Sequence, residues 1–564
     1  MKKANTLRVL SLLAAASLSL CACNSGSPSA SSAPASSAPA ASSAPASSAA
    51  PESSAPASSS QAAGSLDEIE APYPCSEEPI TLTAHIHWGN TQVLQDGNWS
   101  IINKAAEITG VTLKGTASPM ETDSTQAFNL MIASKDIPDM VGGNRNLINQ
   151  YGMEGAFMPL NDLIEQYAPD FKAVLDANPD ILGAITAADG NIYQVPFVYE
   201  DLLSEAWFIR QDWLDKLNLE VPKTVDEFHD VLTAFVNEDP NGNGQKDEVG
   251  IFTRLSGATD NKVLSVLALF GVSDYWHLGK DGKVAIGLYT PQYQEAIKGV
   301  SQWYAEGLID KEIFTRGGQS RDMLFPENNG GAIHDWIPST SGYNPKISPT
   351  VPGFKLVGML PPTDSNGDQW EVASRDKLDG AGWAISVNNP NPEASMKYMN
   401  FWWTEEGRRL STYGVYDDDY TLDANGEPVY TDKVLKAADP INVFIRNEGG
   451  MINDIGYLHD ASYENFMMDE EGQKTGALYN EAGVVNKLNP KLPALSFTEA
   501  ELDLVNSKYP PIRTHMLEQL QKWTFDGSNI DAEFPAYMDT LKSMGIEDVV
   551  ATYQAAYDRL IANQ

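Results

Sequence analysis

The stretch "PITLTAHIHWG", Pro79 to Gly89, puts Ile80, Leu82, Ala84, Ile86 and Trp88 on one face and polar residues between them. An apolar period of two marks a half-buried strand. Reading outward, Trp99 to Thr109 has helical spacing and is closed by Gly110, and "VTLKG" (Val111 to Gly115) is a second strand. "QAFNLMIAS" then reads as a helix, and "DIPDMVGG" as a short strand ending in a glycine turn. This βαβα order predicts an α/β fold with a mainly parallel sheet and helices on its faces.

Further along, "GAFMPLNDLIEQYAPDFKAVL" is helical in spacing, "DGNIYQVPFVYE" is a turn and a strand, and the strand "AWFIR" opens a new series. In "PKTVDEFHDVLTAFV", Thr224 and Glu227 form a capping box for a helix whose apolar face runs from Val225 to Val236. "TPQYQEAIKGVSQWYAEGL" and "NPEASMKYMNFWWTEEGRRL" each begin with a cap residue and a proline, Thr290 with Pro291 and Asn391 with Pro392. "GGAIHDW" and "FKLVGMLPP" read as strands, and the last 60 or so residues as amphipathic helices.

The N-terminus decides the compartment. Lys2, Lys3 and Arg8 precede an apolar run, Val9 to about Leu20, that is too short to span a bilayer as a mature helix and reads as a secretory signal. Leu20-Cys21-Ala22-Cys23 resembles a bacterial lipobox, so residues 1–22 are expected to leave and Cys23 to carry the lipid. Residues 23–75 form a tether, largely Ser, Ala and Pro repeats with no large apolar residue to bury until about Ser65. Its polyproline-like reach is on the order of 130 Å, enough to hold a domain beyond a cell wall. Processing leaves Cys75 as the single cysteine of the folded part, so no intramolecular disulfide is expected.

The remaining roughly 490 residues suffice for at least two domains. A formal net charge of −38 argues against nucleic acid and anionic membrane surfaces. The membrane is reached through the lipid alone.

"EDPNGNGQKDE", Glu238 to Glu248, offers Asp239, Asn241, Asn243, Asp247 and Glu248 as oxygen donors, with the Gln245 carbonyl between them. Hard oxygens without His or Cys select Ca²⁺. An EF-hand wants a bidentate Glu at its twelfth position, where this chain has Gly250. Donors confined to one loop leave little room for a reacting substrate, so the metal is expected to be structural.

Several stretches together carry a family likeness: "NLMIASKDIPDM", "GAFMPLNDLIEQYAP", "DGNIYQVP", "RQDWLDKLNLEVPKTVDEF", "DPNGNGQKDE", "GAGWAISVNNPNPEASMKYMNFWWTEEG", "LPALSFT" and "AAYDRLIA". Over essentially everything after the tether, the chain resembles extracellular solute-binding lipoproteins of carbohydrate ABC importers, and within them the calcium-containing subgroup that includes alginate oligosaccharide binders. The resemblance implies a two-lobe, type II periplasmic-binding-protein-like fold that closes on its ligand by hinge motion. Lobe one would hold 76–196 plus 378–455, and lobe two 197–377 plus 456–564 with the loop 239–248. It also implies that the adjacent acids Asp247 and Glu248 complete the calcium site.

Sugars stack on aromatic faces and bond planar polar groups, and sites in open α/β sheets lie beyond the carboxyl ends of strands. Candidates are therefore Trp88 and Asn90 after the first strand, Asn144 and Arg145 after "DMVGG", Tyr199 and Glu200 at the first crossing, Trp336 at the end of "GGAIHDW", and Trp383 near the return crossing. Against the maltose-binding branch, Trp336 falls where a stacking tryptophan is expected and Arg145 near a polar contact. Trp207, Trp213, Trp402 and Trp403 read as core.

The expected function is a monomeric, lipid-anchored receptor on the outer face of a Gram-positive cell membrane, handing an oligosaccharide to permease subunits without catalysis. One competing class is a cell-surface glycoside hydrolase using carboxylates such as Glu200, Asp335, Glu371 or Asp417 to Asp419. The chain lacks the eightfold strand-helix series of a barrel and any GxSxG, HExxH or P-loop. A peptide or polyamine receptor on the same fold is the other alternative.

Overall fold

A computed structural model describes residues 72–562, apart from 90–91, 201–202, 255–262, 373–374, 425, 439–440, 460–462, 464–465 and 467. The signal, Cys23, the tether as far as residue 71, and Asn90 lie outside the described residues. Among the described residues no helix is long and apolar enough to cross a membrane.

The alternating stretch forms the strand Ile80–His85. Leu82 and Ala84 are fully buried, and the helix Ser100–Thr109 buries Ile101, Ile102 and Ala105. Gly110 ends that helix at φ +73°, a conformation that costs glycine nothing. The strand runs parallel to Val111–Gly115 and to Met140–Asn144. Six strands complete this sheet, in the order Leu458–His459, Val195–Tyr199, Leu378–Ile385, Met140–Asn144, Ile80–His85, Val111–Gly115. The strand Leu378–Ile385 runs antiparallel to both neighbours, an exception to the parallel pattern. It returns from the second sheet and therefore enters from the opposite end.

The second sheet has the order Leu356–Met359, Glu205–Arg210, Gly330–Trp336, Val249–Phe252. Gly330–Trp336 is parallel to Val249–Phe252 and antiparallel to Glu205–Arg210, with Trp336 opposite Glu205. The chain thus leaves the first sheet after Tyr199 and returns before Leu378. It leaves again after His459, since the helix Glu470–Ala482 packs on Leu356–Met359.

Thr224 and Glu227 make the expected capping box on the helix Val225–Asn237. Thr290 does not cap: its hydroxyl donates to the Gly287 carbonyl, and the helix begins two residues after Pro291, at Tyr293. The C-terminal helices Glu499–Phe525, Ile530–Met544 and Ile546–Ala562 cover the second sheet's side, with Trp276 stacked on Tyr553 at 4.2 Å. They also touch the first lobe's side, where Arg559 donates to the Ser496 carbonyl and Ser496 Oγ to the Ala184 carbonyl. Trp207, Trp213, Trp402 and Trp403 are buried, as expected of core. Cys75 is a buried thiol, pushed up to about 12 by burial.

Candidate ligand-binding site

Three of the aromatic candidates end strands whose carboxyl ends face the crossing segments. Tyr199 ends Val195–Tyr199 in the first sheet, and Trp336 ends Gly330–Trp336 in the second. Trp88 sits on a two-residue strand paired opposite Gln92, just beyond Ile80–His85.

Arginines interleave these rings. The Arg375 guanidinium carbon lies 4.9 Å from the Tyr199 ring centroid and 5.4 Å from that of Trp336. Arg446 lies 5.2 Å over Trp88. Both guanidiniums also act on the Tyr199 hydroxyl, although burial dominates and pushes that group up to about 12. Arg375 thus lies between Trp336 and Tyr199 at the ends of the two sheets, and Arg446, over Trp88, acts electrostatically on the Tyr199 hydroxyl.

Buried acids underlie the series. Burial raises Asp379 to about 6 against the pull of hydrogen bonds from Asn453 and the Ala381 N–H. Asp454 is raised to about 8, again by burial and then by the Asp379 charge, against one hydrogen bond at 3.3 Å from the His87 N–H. The His87 ring nitrogens lie 3.0 Å from Ser124 Oγ and 2.8 Å from the Glu121 carbonyl, which fixes the segment carrying Trp88. Asn453 Nδ2 reaches Tyr199 Oη at 3.5 Å.

The other candidates are placed differently. Asn144 caps the helix Arg145–Met153, accepting from the Asn146 and Leu147 N–H groups. Arg145 is buried, donates to the Ala184 carbonyl, and is lowered to about 10 by desolvation. Trp383 has no exposed surface and packs on Tyr398 with ring centroids 5.9 Å apart. Glu200 lies 3.9 Å from Arg408. Arg375, Asp379, Arg446, Asn453 and Asp454 were not among the sequence candidates. Their one signal is position, in charged or glycine-bearing segments flanking a crossing, "SRDKLDG" and "RNEGGMINDIG".

A cavity of about 130 Å³ lies on the second sheet, lined in part by Glu205, Trp207, Tyr275, His334, Trp370 and Glu371. Glu205 stands opposite Trp336 in register, so the cavity adjoins the aromatic series. His334 is held 3.2 Å from Glu371 and 3.8 Å from Glu205.

Of the acids that a hydrolase would use, Asp335, Asp418 and Asp419 are engaged in ion pairs. Asp335 receives two hydrogen bonds of 2.9 Å from Arg254 and lies 3.4 Å from Arg321; burial would raise it, but these guanidiniums hold it below the usual carboxylate range. Asp418 and Asp419 share Lys433 at 2.6 and 2.7 Å.

In the loop after Asn237, Asp239 has φ +50°, and Gly242 and Gly244 lie at +77° and +78°. The Asp239 carboxylate accepts from the N–H groups of Gly242, Asn243 and Gly244. Asn241 and Asn243 turn their amide NH2 groups onto Asp247 at 3.0 to 3.1 Å, and the Gln245 N–H donates to the Asn243 side chain. Glu248 Oε1 is buried without a hydrogen-bond partner, and burial followed by repulsion from Asp247 and Asp239 raises its pKa. Among the described residues no three His, Cys, Asp or Glu side chains converge as a metal-holding group. The donors suit calcium in type, and the orphaned Glu248 oxygen and the amide donors on Asp247 mark where positive charge is wanted.

The family described as bacterial extracellular solute-binding protein matches residues 100–415. The fructooligosaccharide ABC transporter substrate-binding protein FusA of Streptococcus pneumoniae is 28% identical over 488 residues, 82% of this chain and 87% of that protein. Alginate-binding protein AlgQ2, solved without calcium ion, superposes with a TM-score of 0.72 at 36% identity, covering 86% of this chain and 100% of that one. FusA in complex with kestose superposes with a TM-score of 0.67 at 25% identity over the same shares.

Proposed function

The chain belongs to the bacterial extracellular solute-binding proteins, and on that premise we propose that it captures an oligosaccharide outside the cell and passes it to the membrane subunits of an ABC importer. The observation that carries this is the series of ring faces at the strand ends of both sheets, the arrangement that stacking on successive sugar rings requires. Relatives named for alginate and for fructooligosaccharides support an oligosaccharide as the class.

The two lobes, 76–196 with 378–455 and 197–377 with 456–564, would close on the ligand about the crossing segments, bringing Trp336 against Tyr199 and Trp88. Cys23 would hold a monomeric receptor at the outer membrane face of a Gram-positive cell. Calcium at Asp239, Asn241, Asn243, Gln245, Asp247 and Glu248 would brace the loop far from the ligand. There it would relieve the repulsion among Asp239, Asp247 and Glu248.

Binding without turnover is expected, because Asp335, Asp418 and Asp419 are committed to ion pairs. Titration calorimetry against a panel of neutral and acidic oligosaccharides, with chromatography of the mixtures, tests this. Saturable heat with intact sugar supports the receptor. Shortened products would replace it with a hydrolase, and binding confined to peptides or polyamines would replace the ligand class.

A further inference from the structure

A ring can serve as a stacking platform only if it is held in one place, and the strand that carries Trp336 ends at that residue. We infer that Arg254, Asp335 and Arg321 are positioning residues that fix the Trp336 ring for the ligand without touching the ligand themselves. This rests on the oligosaccharide reading above and assigns the side chains that set one of its contacts.

Strand alternation separates the ring from the ions that hold it. His334 packs on Trp207 with ring centroids 5.1 Å apart and lines the cavity on that face of the sheet. Trp336, two residues on, shares the face, and its cross-strand partner Glu205 lines the same cavity. Asp335 takes the opposite face with Ile333, which packs into a core that includes Phe252 and Tyr343. A sugar lying on the ring would therefore not meet the Asp335 carboxylate, which is 2% exposed.

From that side the backbone around Trp336 is tied at successive points. Asp335 Oδ1 accepts the Trp336 N–H at 2.8 Å. Arg254 grips both oxygens of the same carboxylate, each at 2.9 Å, and Arg321 Nε lies 3.4 Å from Oδ2. Arg321 Nη1 then donates to Ser339 Oγ and Thr340 Oγ1, both at 2.8 Å, in the helical turn that follows the ring. Between these ties the Ile337 N–H donates to the Ser204 carbonyl at 2.8 Å. Two guanidiniums on one buried carboxylate are a poor source of stability, because desolvation offsets most of their attraction. A two-pronged guanidinium contact does fix angle as well as distance, and a stacking ring needs its angle fixed.

The test labels the full chain with 5-fluorotryptophan and follows its fluorine resonances, with the Trp336 line assigned by Trp336→Phe. Arg254→Lys keeps the charge and loses the fork. Ser339→Ala with Thr340→Val removes the anchors of Arg321 and leaves all three charged groups. Each variant is expected to shift or broaden the Trp336 line while the remaining tryptophan lines and the thermal midpoint stay close to wild type. Calorimetric titration with cellotriose and with trigalacturonate, a neutral and an acidic probe, should show a severalfold loss of affinity in each variant. Placed in a Trp336→Ala background, the same substitutions should cost no further affinity, the sign that they act through that ring. An unmoved Trp336 line in both variants, additive losses of affinity, or a fall in midpoint that carries every tryptophan line with it would overturn the inference. If neither probe binds but the Trp336 line moves, the three residues stand as the support of that ring and the oligosaccharide reading falls.

Discussion

Asp454 makes the stability of this protein depend on pH in a direction opposite to that of most carboxylates. Its pKa rises from 3.8 to about 8 because burial disfavours the charge and the Asp379 carboxylate adds to that, against a single 3.3 Å hydrogen bond from the His87 N–H. The fold therefore prefers the protonated form. Its contribution is fully present below the unfolded pKa and is lost as pH climbs through the folded one. The shift of roughly four units corresponds to about 6 kcal/mol over the whole titration, of which about 4 kcal/mol falls between pH 5 and 9. Asp454→Asn keeps an oxygen for the His87 N–H and cannot ionise. Urea unfolding of wild type and variant, followed by tryptophan fluorescence at steps from pH 5 to 9, isolates this term because every other titrating group is common to both. The variant's advantage should grow by about 4 kcal/mol across that range. Parallel pH profiles for the two proteins would refute the burial argument.

Trp336→Ala and Trp88→Ala are each expected to weaken oligosaccharide binding by about 1 to 2 kcal/mol, with little change in melting, as read by calorimetry and thermal scans. Trp383→Ala should do the reverse, costing about 3 to 5 kcal/mol of stability because the ring is sealed in the core. Gly142→Ala should destabilise the first sheet, since its new methyl would sit 2.6 Å from Asp454 Cβ; Asp454→Ala keeps that atom and should not relieve the clash. Chelation should lower the melting midpoint and added Ca²⁺ at about a hundred times its dissociation constant should return about 3 kcal/mol. An unchanged midpoint on chelation would count against the calcium loop.

Much of this architecture is legible in local pattern. The period-two alternation of Ile80 to Trp88 and the capping box at Thr224 and Glu227 both appear as read, because each depends on neighbours a few residues away. Trp88, Tyr199 and Trp336 were accessible to the strand-end rule and stand in one series. Arg375 and Arg446 were not, because their place beside the rings depends on residues 176 and 358 positions away in the chain (375 − 199 and 446 − 88). Trp383 shows the converse failure. It follows a crossing as the rule asks, but strand alternation turns it inward onto Tyr398, and only the register of Leu378–Ile385 between its two neighbours reveals that.

The strand Leu378–Ile385 also governs how the molecule is put together in time. Among the described residues it is the one strand between Val195–Tyr199 and Met140–Asn144 in the first sheet, and it is synthesised after every strand of the second. Until it arrives, the first lobe holds three paired strands and the lone strand Val195–Tyr199, whose other neighbour, Leu458–His459, is made later still. The chain therefore cannot complete this sheet until His459 has been made, and its folding is expected to be slow and dominated by long-range closure. For an exported chain this is useful: the lobe that would otherwise fold first is held open until the return segment has emerged.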